Sequence, residues 1–212
     1  MGTGKRKKLS QGRVMMALGL VLLLCAGGLL AYNQWDDYRA GQESGSAAVA
    51  LTGEIQNQNV EIMERPVYQE PQTSEEEPET EIIKATELDG AYYMGVLTIP
   101  KLDRVLPVQS DWSMAKLKRS PCRYSGSLNQ ELVIAAHNYR QHFGGMTRLS
   151  QGDSVVFTDL EGRQYFYEVR EVCTTEAYDV EGMTHSGYDL TLFTCNYGGK
   201  ARVTVRCQRV DG

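Results

Sequence analysis

The sequence predicts a mainly β domain of seven or eight short strands, closed as a barrel or packed as a sandwich, behind an N-terminal membrane span and an acidic linker. Three observations predict this: an uncharged run at residues 14–32, a lopsided charge balance over residues 33–89, and a series of short β-branched segments from residue 90 onward.

Lys5, Arg6, Lys7, Lys8 and Arg13 precede "VMMALGLVLLLCAGGLLAY", residues 14–32, which carries no charge. At about 1.5 Å per helical residue that run just crosses a hydrocarbon core of about 30 Å. Basic residues before it and Asp36, Asp37 and Glu43 after it predict a cytoplasmic tail, residues 1–13, and an external remainder: a single-pass protein of the cell membrane. A cleaved signal peptide shares the basic flank, but this run is long for one and closes on no small-x-small site. Leu24 before Cys25 argues against a lipoprotein site.

Residues 33–89 hold 14 acidic and three basic side chains, include "QEPQTSEEEPETE", and have few large apolar residues. Such a stretch buries too little surface to offset the entropy of ordering, which predicts a disordered, self-repelling stalk. Residues 90–212 balance 14 basic against 13 acidic side chains. With no basic run, this domain is not a nucleic-acid binder, and its length suffices for one hydrophobic core.

Within that domain "MGVLTIPKL", "RVLPV", "ELVIAAH", "DSVVFTD", "RQYFYEVREVCTT", "YDLTLFTC" and "ARVTVRCQRV" read as strands between Gly, Asn, Asp and Ser clusters. "DWSMAKLKRS", residues 111–120, is the helix candidate, with Ser110 or Asp111 as N-cap.

Strand alternation places Thr191, Phe193 and Cys195 on one face and Leu190, Leu192 and Thr194 on the other. In the last strand Val203, Val205 and Cys207 claim the core, so Arg202 and Arg206 point outward. A turn at Gly198–Gly199, where two glycines accept positive φ, would pair Tyr197 with Lys200, Asn196 with Ala201, Cys195 with Arg202, and Thr191 with Arg206. Cys195 and Arg202 then become outer-face neighbours. Cys173 shares parity with Tyr165, Tyr167 and Val169, which predicts the inner face, although Glu171 breaks the pattern. Four cysteines lie beyond the span and allow three complete disulfide pairings; buried free thiols are the expectation for Cys173 and Cys207.

A nucleophilic thiol needs a base or a cationic partner. The histidines are His137, at the end of "LVIAA"; His142, five residues on in the same polar loop; and His185 in "GMTHSGYD". A histidine where a strand meets a loop can reach an outer-surface site, which selects His137; His142 and His185 read as ordinary loop residues. The two histidines of the loop lack the HExxH pattern and no CxxC pair exists, so neither a metal nor another cofactor is predicted.

Together these segments resemble the sortases, cysteine transpeptidases of Gram-positive cell surfaces. "TLFTC" resembles their TLxTC signature, "ARVTVRCQRV" the following strand with its arginine, "LVIAAHNY" the histidine segment, and "GVLTIPKLDRVLPV" the opening G-x-L-x-I-P stretch. The "HN" pair and the tight hairpin resemble class B-like or related clostridial types. The resemblance implies a closed sortase-type β-barrel over residues 90–212. It implies Cys195 as nucleophile on an LPXTG-like sorting signal, His137 as acid and base, Arg202 as donor to substrate or oxyanion, and Thr194 as a supporting residue. The partners it implies are sorting-signal surface proteins and an amine from a peptidoglycan precursor or a pilin. The competing expectations are a stalked β module that binds a wall component without catalysis, and another cysteine peptidase or peptidoglycan hydrolase.

Overall fold

A computed structural model describes residues 11–64, 84–196 and 198–210. Residues 1–10 of the expected cytoplasmic tail and residues 65–83 of the expected stalk lie outside the described residues. The first element is a helix, α1 (Gln11–Glu64), and the chain divides into two compact units, Met1–Arg39 and Ala40–Gly212.

In the first unit residues 14–32 of α1 are uncharged on every side and exposed, as a lipid-facing helix is. Its most apolar stretch reaches a mean hydropathy of 2.5, long and apolar enough to cross a membrane.

In the second unit the structure departs from the expected stalk. Residues 40–55 are helical and bury Ala40, Ser44, Ala47, Ala48, Leu51 and Ile55. These positions recur three or four residues apart, a stripe along one helix face. Ala47, Leu51 and Ile55 pack on Ala91, Tyr93 and Val96 of the barrel wall. Charge averaged over 57 residues hid the stripe, because eight of the 14 acidic residues fall after residue 64.

Nine strands follow: β1 (Thr86–Leu88), β2 (Ala91–Ile99), β3 (Arg104–Gln109), β4 (Cys122–Ser125), β5 (Leu132–Ala136), β6 (Ser154–Asp159), β7 (Gln164–Glu176), β8 (Leu190–Cys195) and β9 (Ala201–Val210). Their order is β1-β2-β3-β4-β5-β8-β9-β7-β6, and β2 also pairs with β6, which closes an eight-stranded barrel and leaves β1 outside it. The seven segments read as strands correspond to β2, β3 and β5 to β9. The short β1 and β4 were not legible, having too few residues to show a period. Leu97, Ile99, Leu132, Ile134, Phe157, Tyr167, Leu190, Leu192, Val205 and their neighbours fill the interior. β2 is buried on both faces because α1 covers its outside, which explains its near-continuous apolar run.

The helix expected over residues 111–120 is absent. That segment forms turns and a 3₁₀ turn, Lys116–Lys118, in which Ser113 Oγ accepts the Lys116 N–H at 3.2 Å. Asp111 instead binds Lys116 Nζ at 2.5 Å. Leu117 and the buried Cys122 pack the segment onto the outer face of β5.

Candidate active site

The site follows from the register of three adjacent strands. β5 and β8 run parallel, pairing Ala135 with Phe193 and Ala136 with Thr194. Leu132, Ile134, Leu190 and Leu192 point into the barrel; Val133, Ala135 and Phe193 lie in a separate cluster on its outside. β5 ends at Ala136 and β8 at Cys195, so His137 and Cys195 each follow directly on the last paired position, Ala136 with Thr194. Thr194 Oγ1 donates to the Ala136 carbonyl at 2.8 Å and ties the two strand ends together.

On the other side of β8 the antiparallel ladder to β9 pairs Cys195 with Arg202 and Thr191 with Arg206, the register read from the double glycine. The loop is longer than the two residues expected. The Gly199 N–H bonds the Asn196 carbonyl at 3.0 Å, and Asn196 also receives the Ala201 N–H through its carbonyl-bearing side chain at 3.2 Å. Gly198 and Gly199 take φ of 110° and 72°, which only glycine adopts without strain. The expected pair of Tyr197 with Lys200 falls on a position outside the described residues. Thus His137, Cys195 and Arg202 stand at one end of three neighbouring strands, each half-buried.

The two outward arginines differ. Among the described residues Arg202 Nη1 donates to backbone, the Gly199 and Ala201 carbonyls at 3.3 and 3.4 Å. Arg206 is committed: it donates to Glu171 at 3.1 Å, to the Gly182 carbonyl at 3.1 Å, and stacks 5.7 Å from the Tyr188 ring. Gly182 belongs to a short helix, α2 (Val180–Thr184), whose N-cap Asp179 accepts the Gly182 N–H at 2.9 Å.

His137 opens a loop that folds back on itself. The Phe143 N–H reaches the His137 carbonyl, and the His142 and Gly144 N–H groups both bond the Tyr139 carbonyl, at 3.0 and 2.8 Å. Phe143 and Met146 plug the barrel interior. From β3, Arg104 donates twice to the Arg140 carbonyl, at 3.2 and 2.8 Å. The Tyr139 ring lies between His137 and His142, with centroids 5.0 and 5.4 Å away.

His142 is not the surface loop residue expected. It is fully buried, and burial holds its pKa down to about 4; the Ala40 backbone opposes that, while His137 and Arg104 reinforce it. His185 is an exposed residue after α2, with Nδ1 3.1 Å from Thr184 Oγ1.

All five cysteines are free thiols. Burial pushes Cys122 and Cys207 up to about 12, so neither supplies thiolate near neutral pH. Cys173 corrects the parity reading. A bulge between Val169 and Glu171 shifts β7 by one residue, so Val172 packs toward the core and Cys173 pairs with outward Thr204.

Sequence reading overlooked Arg104, Phe143 and Glu131. Glu131 accepts the Ser186 and Gly187 N–H groups at 2.7 and 2.8 Å and so holds the approach to β8. Phe143, an apolar residue inside "HNYRQHFGG", was a visible signal; the other two depend on distant partners. On the face of β8 that carries Cys195, Phe193 continues into an aromatic row with Tyr124 and Trp112, centroids 5.3 and 5.2 Å apart. A thiol, an imidazole and a guanidinium carried at neighbouring strand ends are the groups that acyl transfer from a peptide calls for.

No curated protein matches the chain. Among solved structures, sortase C of Streptococcus pneumoniae is 25% identical over 57% of this chain and 70% of its own, with a TM-score of 0.51. Sortase C1 of Streptococcus agalactiae, 24% identical over 59% of this chain and 72% of its own, has a TM-score of 0.52. A Clostridium perfringens sortase D5 transpeptidase, 19% identical over 56% and 79%, has one of 0.51, and these last two share the fold. The Sortase domain model matches residues 97–210, more than half of the chain. With that match on the barrel and on the strands that carry the thiol, the chain belongs to the sortase family, whose members are cysteine transpeptidases.

Proposed function

We propose that this protein is a membrane-anchored sortase that cleaves an LPXTG-like sorting signal and transfers the acyl fragment to an amine of a peptidoglycan precursor or a pilin. The observation that carries the reading is the register: Cys195 opposite Arg202 on β9, with His137 one step beyond the Ala136–Thr194 pair.

In this reading the Cys195 thiolate attacks the carbonyl carbon of the signal's threonine. Arg202 donates to the oxyanion as charge develops there. His137 protonates the leaving amine, the C–N bond breaks, and a thioester remains on Cys195. An incoming amine attacks that thioester, His137 takes its proton, and Cys195 leaves as thiolate. Water in place of the amine gives hydrolysis. Thr194 supports the pair by holding the end of β5 to the end of β8. The apolar part of α1 anchors the chain, with its N-terminus in the cytoplasm, in the membrane where a sorting-signal protein and a lipid-linked acceptor both arrive.

The test is to incubate the full chain in detergent micelles with LPXTG-type peptide libraries, with and without an amine, and to follow products by mass spectrometry. Cleavage after threonine, amine-dependent ligation and a trapped thioester are expected. No cleavage by the wild type, or equal cleavage by Cys195→Ala, sinks the reading.

A further inference from the structure

Resting on the reading of His137 as acid and base, we propose that residues 40–55 of α1 are a positioning element for that histidine. The helix is seated on the outer face of β2 through Ala47, Leu51 and Ile55. Its upper end meets the histidine loop. Gly41 lies so close to that loop that a Cβ there would stand 2.6 Å from Gln141 Cγ and 3.1 Å from its Cβ. The Ala40 backbone adjoins the ring of His142, which is buried together with Ala40 and Ser44.

The loop has three supports. Phe143 is held in the core, Arg104 holds the Arg140 carbonyl, and the helix abuts Gln141 and the buried His142. The first two act on parts of the loop that point into or along the barrel. The helix instead abuts the side chain of Gln141, which is otherwise exposed. From this end the row His142–Tyr139–His137 leads back to the histidine, with ring centroids 5.4 and 5.0 Å apart. A displaced helix therefore moves the loop, and the loop moves the imidazole relative to Cys195.

Gly41→Ala separates this role from simple helix stability, since alanine is the better helix former yet collides with Gln141. In the full chain in micelles, Gly41→Ala is expected to lower kcat roughly tenfold with KM little changed, within the roughly 10²-fold that a misplaced catalytic group can cost. Adding Gln141→Ala removes the colliding Cγ and restores kcat. Leu51→Ala, which loosens the seat on β2 without touching the loop, lowers kcat by a smaller factor. Amide exchange at His142 and Gly144 reports loop order independently of turnover: faster in Gly41→Ala, slow again in the double variant. Unchanged kcat in Gly41→Ala, or failure of the double variant to recover while the barrel stays folded, overturns the proposal. A wild type with native exchange and no turnover instead overturns the functional reading on which it rests.

Discussion

Cys195 and Arg202 face each other across a hairpin that closes within residues 196–200, whereas the loop that follows His137 is tied to β3 and the barrel core and abuts α1. The first arrangement is local: two strands, one turn, and a register that any intact hairpin reproduces. Its loop-closure cost is small, and its glycines take the positive φ the turn requires. The second is assembled from segments as far apart in sequence as Gly41 and Gln141. The thiol side of the site should therefore respond to substitution in an all-or-none way, and the histidine side in graded steps.

The largest break comes from the histidine itself. His137→Ala should lower kcat/KM for an LPXTG-type peptide by about 10²–10⁴, the usual worth of a positioned acid and base. Steady-state kinetics check this, and a near-normal rate removes the histidine from the mechanism.

Next, Arg202→Ala should cost about 10²–10³ in turnover, as loss of an oxyanion donor does. Arg206→Ala, whose guanidinium is occupied by Glu171 and the Gly182 carbonyl, should leave turnover within a few-fold and lower thermal stability instead. The opposite pattern would assign the donor role to the wrong strand position.

Phe143→Ala tests the non-local side through stability. Emptying a fully buried phenylalanine position should cost about 3–5 kcal/mol in urea unfolding. Turnover measured well below the unfolding midpoint should fall as well, because the same side chain anchors the loop behind His137.

His142 gives the smallest effect, and one with a definite sign. Its pKa is held near 4 in the folded chain against an ordinary 6.5, so the unfolded chain binds the proton first as pH falls. Its contribution is intact above pH 6.5 and is lost between pH 6.5 and 4, on the order of 3 kcal/mol in all. His142→Phe should flatten the pH dependence of stability across that window; an unchanged slope would mean the ring is hydrated.

How much of this was legible in the sequence tracks the same division. Alternation in "DLTLFTC" and "ARVTVRC", plus a double glycine, sufficed to place Cys195 opposite Arg202, since both strands and their turn lie within one short segment. The Cys173 parity failed because one inserted residue reverses every later side chain, and Glu171 marked the irregularity without saying how the register would resume. The stalk reading failed in part because composition was averaged over a region that contains both a seam of small and apolar residues and an acidic tract. Arg104 and Glu131 were invisible, because each binds backbone groups more than 30 residues away.

By itself the sequence determined the membrane-length apolar run, the strands long enough to show a period, and the thiol–guanidinium pair, because each depends on side-chain periodicity within a few residues. Only the tertiary structure decided that β2 and β6 close the barrel, that β5 lies beside β8 with their ends at Ala136 and Thr194 paired, and that residues 40–55 pack on β2 and approach Gln141. Those outcomes depend on which distant surfaces bury one another, and burial is non-directional: the apolar stripe on a helix states that it needs a partner without naming which one.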